Sequence, residues 1–239
     1  MTMRACVFGA SGGIGAALVA RLAARDDVAE VFALSRQPDA GGDKVTSLAF
    51  DLTDEATIAA AVAQMGEGGA IDLAIIATGI LSLGEGKGPE KSLSQIDGAA
   101  MAQVFALNTI GPALVMKHVV TLLCRESRAV LAVLSARVGS IGDNKLGGWH
   151  SYRASKAALN MLVRNCAIEF ARTRPKAIAV ALHPGTVDTA LSQPFQRGVP
   201  QDKLFTPDRS AGHLLEVIEG LAREDSGGLF AWDGQRIEF

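Results

Sequence analysis

Tyr152 and Lys156 stand four residues apart in Ser151-Tyr152-Arg153-Ala154-Ser155-Lys156-Ala157-Ala158-Leu159-Asn160, a run that reads as helix. That spacing puts a phenol and an ammonium on one helical face, a turn apart. A phenol titrates at about 10, too high for a good acid or base at neutral pH. A neighbouring ammonium stabilises the phenolate and draws the pKa toward the working range. Such a pair can hand a proton to a carbonyl oxygen or take one from an alcohol. Tyr152 is the only tyrosine in the chain. The same spacing also fits a surface tyrosine and lysine, so the pair acquires meaning only from its context.

A second constellation lies at the N-terminus. A β-rich run, Met3-Arg4-Ala5-Cys6-Val7-Phe8, leads into Gly9-Ala10-Ser11-Gly12-Gly13-Ile14-Gly15 and then an Ala/Leu helix. Gly9 permits a tight turn, Gly13 a close approach of backbone to a pyrophosphate, and Gly15 close packing of helix on strand. The helix N-terminus, with Ser11, Gly12 and Ile14 in the same turn, offers N–H groups and the positive dipole end to phosphates. No Gly-Lys-Ser/Thr follows, which disfavours a P-loop NTPase.

The choice of dinucleotide is made about 20 residues later, where an acidic residue would hold a ribose 2′-hydroxyl. Ser35-Arg36 stands there instead, after Val31-Phe32-Ala33-Leu34. A hydroxyl and a guanidinium suit a 2′-phosphate, so NADP(H) is expected over NAD(H). Asp51, followed by Leu52, ends the third strand. It is placed to accept from an adenine amino group or to cap helix 54–65, a task open also to Thr53 and Asp54.

The elements that must position these groups alternate. Strands are expected at 3–8, 29–34, 45–50, 71–77, 128–135, 177–183 and 228–232, and helices at 13–25, 54–65, 98–124, 151–172 and 207–222. Runs such as Leu73-Ala74-Ile75-Ile76-Ala77 are apolar throughout, as in strands buried on both faces. The order implies a single α/β domain over 1–239, a Rossmann-type doubly wound parallel sheet of about seven strands flanked by helices. Two loops, 79–97 and 184–207, leave strand C-termini, where open α/β sheets bind ligands. The second, with Leu191, Phe195, Val199 and Phe205, reads as a lid.

Composition narrows the class further. The chain is 49% hydrophobic but only 5% aromatic, so Ala, Val, Leu and Ile must build the core. A net charge of −2 argues against nucleic acid or an anionic membrane as partner. Cys6, Cys124 and Cys166 have no metal-ligand spacing and suit free thiols in a reducing cytoplasm. No metal site is expected. No secretory signal is read at the N-terminus, and no charge-free apolar run of about 18 residues is read as a membrane span.

Together, the glycine turn, the Tyr-x-x-x-Lys pair and the strand order resemble the short-chain dehydrogenase/reductase family over essentially the whole chain. Gly139-Ser140-Ile141, Gly147-Gly148-Trp149, Ala77-Thr78-Gly79, the Tyr152–Asn160 run and Asp233-Gly234-Gln235-Arg236-Ile237 are similar to its C-factor/sniffer-like carbonyl reductases. The resemblance implies that Asn108, in Leu107-Asn108-Thr109-Ile110-Gly111, holds a water in a proton relay with Lys156, which would also bond the nicotinamide ribose. It implies that Pro184, Gly185, Val187 and Thr189 orient the nicotinamide, and that Ala77, Thr78 and Gly79 line the cofactor cleft. It further implies a homodimer or homotetramer through helices 98–124 and 151–172, and a small carbonyl or alcohol as substrate.

Three departures from the family pattern stand out. Phe8 replaces the threonine before the first glycine, and Ala77 replaces the asparagine after the fourth strand. The catalytic serine aligns on Ala136. Ser135 is the first candidate for its role and Ser140 the second, while a site with no serine donor stays open. The expected activity is NADP(H)-dependent carbonyl reduction, or the reverse alcohol oxidation, with Tyr152 as proton donor. The competing function is a nucleotide-binding regulatory or signalling protein with little turnover, against which the intact Asn108, Tyr152 and Lys156 argue.

Overall fold

The computed structural model describes residues 2–83, 88–193, 196 and 198–239. In chain order the elements are β1 (Met3–Phe8), α1 (Gly13–Ala23), β2 (Val28–Ser35), β3 (Val45–Ala49), α2 (Glu55–Gly66) and β4 (Leu73–Ile76). There follow α3 (Gly98–Phe105), α4 (Gly111–Val119), β5 (Ala129–Leu134), α5 (His150–Thr173) and β6 (Ala177–His183). The chain closes with β7 (Thr186–Val187), β8 (Leu204–Phe205), α6 (Pro207–Gly220), β9 (Leu229–Ala231) and β10 (Arg236–Ile237).

Eight strands form one sheet in the order β10-β9-β6-β5-β4-β1-β2-β3. Seven are parallel, as expected. The eighth, β10, pairs antiparallel with β9, and its two residues are too short a run to stand out in sequence. Every residue of β4 and β5 is buried, because helices cover both faces. Alternate residues serve two cores: Ala129, Leu131 and Val133 face α2, α4 and α5, while Val130, Ala132 and Leu134 face α1 and α6. β1 lies between β2 and β4, so the strand order reverses there. The crevice at the C-terminal ends of β1 and β4 is where such sheets take their ligand.

Helix 98–124 is not one helix. A π-helical turn, Ala106–Ile110, separates α3 from α4, and a 3-10 turn, Val120–Leu122, ends the run. Pro112 supplies the reason. It has no N–H to offer the carbonyl of Asn108 and its ring would press on that oxygen in a regular α-helix. The turn delivers Asn108 and Thr109 to the interior. Residues 98–115 carry no charged side chain, which corrects the expectation that no such run exists. Gly98–Leu122 has the length and hydropathy of a membrane span. Here, however, it packs against α5 and α2, and its Asn108 and Thr109 side chains are hydrogen-bonded inside the fold.

Candidate active site

Asn108 is fully buried and makes three hydrogen bonds. Its Oδ1 accepts from the Ile80 N–H at 2.8 Å, and its Nδ2 donates to the Ile80 carbonyl at 2.9 Å and to Ser155 Oγ at 3.1 Å. Ser155 Oγ donates to the Tyr152 carbonyl, and Thr109 Oγ1 to the Ser155 carbonyl. The π turn, the loop after β4 and the first turn of α5 are thereby stitched together around Tyr152 and Lys156.

Both partners of the pair are buried, Tyr152 at 9% exposure and Lys156 at 4%. Lys156 Nζ donates to the Leu134 carbonyl at 2.9 Å, at the end of β5. Burial pulls the lysine pKa down from 10.5 to about 8, and pushes the phenol up from 10.0 to about 12. The second direction reverses the expectation that the ammonium lowers the phenol pKa. In this desolvated setting the cost of baring a phenolate exceeds the attraction of the charge one turn away. The phenol therefore rests protonated at neutral pH, the state a proton donor needs.

The turn into α5 is unusual. Gly147, Gly148 and Trp149 all have positive φ, and Trp149 is the only non-glycine of that kind among the described residues. Left-handed backbone costs a side-chain-bearing residue about 1–2 kcal/mol. Glu90 offsets it: its carbonyl accepts from the Trp149 N–H, and its carboxylate accepts from the Ser151 N–H and hydroxyl. Burial works against the Glu90 carboxylate, but the Ser151 bonds and the charge of His150 leave its pKa below the usual range. The Trp149 ring meets Tyr152 edge-on, with centroids 6.3 Å apart. Leu81, Ala136 and Tyr152 form a small buried cluster against which Val138 and Trp149 pack. The sequence reading missed this wall and Glu90. The Gly147-Gly148 pair was the available signal, since two glycines together mark left-handed backbone.

Ser135, the first candidate for the serine role, is turned to other use. Its Oγ donates to Asn160 Oδ1 at 2.6 Å, and both side chains are buried. Ser140 Oγ accepts from the Asp143 N–H at 3.0 Å within its own turn. Among the described residues neither hydroxyl hydrogen-bonds Tyr152, while Ala136 packs in the same small buried cluster as its ring.

The residues nominated for a dinucleotide gather at the crevice. Gly9 (φ +90°) has the Ala77 carbonyl 2.9 Å from where a Cβ would stand. At Gly15 a Cβ would lie 2.1 Å from the Gly9 carbonyl, so helix and turn are in contact. A Cβ on Gly13 would meet the Thr189 methyl at 2.8 Å; in this structure the Thr189 methyl fills the space that Gly13 leaves. Gly12 caps α1 without a side chain, and no acidic residue sits in its first turn. The helix end thus presents N–H groups and a positive dipole. Thr78 Oγ1 is buried with no partner, a polar atom aimed for a ligand. These residues fit a dinucleotide.

At the far end of the crevice, Ser11 and Ser35 line a cleft between the glycine turn, β2 and β3. Ser35 is buried while Arg36 is exposed beside it. Asp51 Oδ1 accepts from the Thr53 N–H and hydroxyl, which hold its pKa down with help from the Arg36 charge. Asp54, not Asp51, caps α2. Leu52 is buried against Gly111, where a Cβ would stand 2.3 Å from it. After β6, Gly185 (φ +80°) has the Phe205 ring 2.7 Å from its missing Cβ, and Val187 is buried in β7, paired with β8. Phe205 is buried between Trp232 and His213, with Arg209 over its face at 4.4 Å. It anchors the loop and is not a surface of the lid. Phe195 lies outside the described residues.

This fold and site define a class, and comparison with known proteins agrees. The sequence model of the short chain dehydrogenase family matches residues 3–199, and the chain belongs to that family. Among relatives, the "C-signal" protein of Myxococcus xanthus is 37% identical over 147 residues, 61% of this chain and 82% of its own. The cis-4-hydroxycyclohexanecarboxylate dehydrogenase of Sinomonas cyclohexanicum is 31% identical, over 96% of this chain and 94% of its own. The solved structure of an NADPH-bound carbonyl reductase from chicken fatty liver is 28% identical, with TM-score 0.82 and complete coverage of both chains.

Proposed function

We propose that this chain is an NADP(H)-dependent carbonyl reductase in which Tyr152 delivers the proton. The observation that carries the reading is the buried Tyr152 phenol one helical turn from Lys156, whose Nζ bonds the end of β5 and lies beside Gly79. The glycine turn would hold the pyrophosphate, Ser11, Ser35 and Arg36 the 2′-phosphate, and Asp51 and Leu52 the adenine. Ala77, Thr78 and Gly79 would line the ribose side, and Pro184, Gly185, Val187 and Thr189 the nicotinamide. When bound, the nicotinamide supplies a hydride to the carbonyl carbon.

The protein's part is to orient the carbonyl oxygen on the phenol, exclude water and replace the donated proton. Asn108 fixes the Ile80 backbone beside the site. Lys156, its pKa lowered by burial to about 8, carries charge to the phenolate as it forms. The chicken carbonyl reductase and the cyclohexanecarboxylate dehydrogenase, each named for carbonyl or alcohol chemistry, support this reading.

Residues 1–239 would act as one domain, with 184–207 ordering over bound substrate. Unchanged hydrogen exchange across that loop on adding NADPH would count against a lid. Ile110, Met161 and Ile168 are exposed apolar residues on or beside the two helices nominated for assembly, and support a homodimer or homotetramer, which sedimentation tests. The free thiols Cys6, Cys124 and Cys166 favour the cytoplasm.

The direct test is cofactor oxidation with a panel of aldehydes and ketones. NADPH should be consumed in preference to NADH, and Arg36→Asp should weaken NADPH by about tenfold or more through loss of a charge-assisted contact. No turnover of any carbonyl with either cofactor would end the reading.

A further inference from the structure

Three buried side-chain atoms have no hydrogen-bond partner among the described residues: Thr78 Oγ1, Arg153 Nε and His183 Nδ1. Arg153 reaches the Val138 carbonyl through another nitrogen, and His183 has a second ring nitrogen. Thr78 has no other polar side-chain atom. A buried hydroxyl that has lost water without gaining a partner lowers stability, so its retention needs a reason. Thr78 follows β4 at the C-terminal edge of the sheet, where the Ala77 N–H donates to the Phe8 carbonyl. Its methyl lies 3.1 Å from where a Cβ on Gly9 would stand, so that group is packed on the glycine turn. The next residue, Gly79, has Asn108 Oδ1 and Lys156 Nζ each 3.2 Å from its missing Cβ. Thr78 therefore stands between the turn nominated for the pyrophosphate and the lysine nominated for a ribose. Phe8, fully buried edge-on to Phe50, brings no hydroxyl to this part of the crevice from β1.

We propose that the Thr78 hydroxyl is reserved for the cofactor and donates to a ribose or pyrophosphate oxygen of the bound dinucleotide. The inference rests on the dinucleotide reading and names a side-chain atom that binds it. Because the hydroxyl is already stripped of water in the empty protein, the contact needs no further desolvation of the donor. Binding supplies the missing acceptor, so the bond strengthens the complex and relieves the empty protein at the same atom. The far cleft is lined by Ser11, Ser35 and the segment around Asp39 and Ser47, away from Thr78. The hydroxyl should thus serve NADPH and NADH alike, independently of any 2′-phosphate.

The test uses two readouts, neither of which needs turnover. Affinities for NADPH, NADH and 2′,5′-ADP are measured by titration for wild type, Thr78→Val and Thr78→Ser, and thermal midpoints are taken without cofactor. Valine keeps the shape of threonine and replaces the hydroxyl by a methyl, while serine keeps the hydroxyl. Thr78→Val should weaken both dinucleotides by about fivefold or more, and to a similar degree. Thr78→Ser should stay within about threefold of wild type. The cofactor-free midpoint of Thr78→Val should rise by about 2–6 °C, since a buried polar atom without a partner is gone. A hydroxyl with a purely structural role would move that midpoint down. A parallel loss with 2′,5′-ADP puts the acceptor on the adenosine half, and a loss confined to the dinucleotides puts it beyond; both support the proposal.

A Thr78→Val protein that binds both dinucleotides as wild type does would overturn the inference and leave the dinucleotide reading standing. So would a fall in its cofactor-free midpoint, which would show that the hydroxyl already has a partner in the protein. Weakened NADPH with unchanged NADH would move the hydroxyl to the 2′-phosphate and overturn it as well. A wild type that binds neither dinucleotide would fell the dinucleotide reading itself.

Discussion

Asn108 holds the main chain of Ile80 by both of its polar groups, accepting from the N–H at 2.8 Å and donating to the carbonyl at 2.9 Å. The side chain acts as a short strand partner for the loop after β4, and it is fully buried while doing so. Removing it leaves the half-buried N–H and carbonyl of Ile80 without these partners. Asn108→Ala should cost about 1–3 kcal/mol for each group left unsatisfied. Asn108→Asp is sharper: one oxygen still accepts from Ile80, but the other faces a carbonyl with no proton to give. Its destabilisation in urea should be larger at pH 7 and shrink on acidification, as the carboxyl regains a donor. A pH-independent loss would show that the Ile80 carbonyl does not need this partner.

Glu90 caps the helix that carries Tyr152, and holds Trp149 in its left-handed conformation. Glu90→Ala should cost about 1–2 kcal/mol, the scale of a lost helix cap. Glu90→Gln, which can still accept from Ser151, should recover much of that. Because Trp149 and Tyr152 share a wall, turnover should fall more than cofactor affinity does. An alanine variant with unchanged stability and turnover would remove Glu90 from the account.

His183 offers a pH test independent of activity. Burial first, then the charge of Arg137, depress its pKa from 6.5 to about 4, and its Nδ1 is enclosed without a partner. Above pH 6.5 both states are neutral and the group contributes nothing. Between 6.5 and 4 the unfolded chain binds a proton that the folded chain refuses, so stability falls as pH drops. The loss across that window is roughly 3 kcal/mol. His183→Asn should flatten this limb of the unfolding curve. Equal acid sensitivity in variant and wild type would assign the loss to other groups.

Much of this was legible in the sequence, for physical reasons. The buried parallel strands announced themselves by unbroken apolar runs such as Leu73–Ile76, and the glycine turn by steric needs that the structure repeats at Gly9 and Gly15. Other features were beyond a pattern. The π turn depends on Pro112 acting on a carbonyl four residues back, and β10 is a two-residue pairing. The direction of the phenol pKa needed burial, which spacing does not report. The bond of Ser135 to Asn160, 25 residues away, is likewise a pairing that position alone does not report.

The central claim is that Tyr152 is the proton donor. Tyr152→Phe keeps the ring, its contact with Trp149 and Ala136 and the burial around it, and deletes only the transferable proton. The decisive measurement is turnover of the best carbonyl by this variant, set beside its NADPH affinity by fluorescence titration. Turnover should fall by about 10²–10⁴-fold with affinity nearly unchanged. A variant that keeps more than about a tenth of wild-type turnover would place the acid elsewhere and contradict the account.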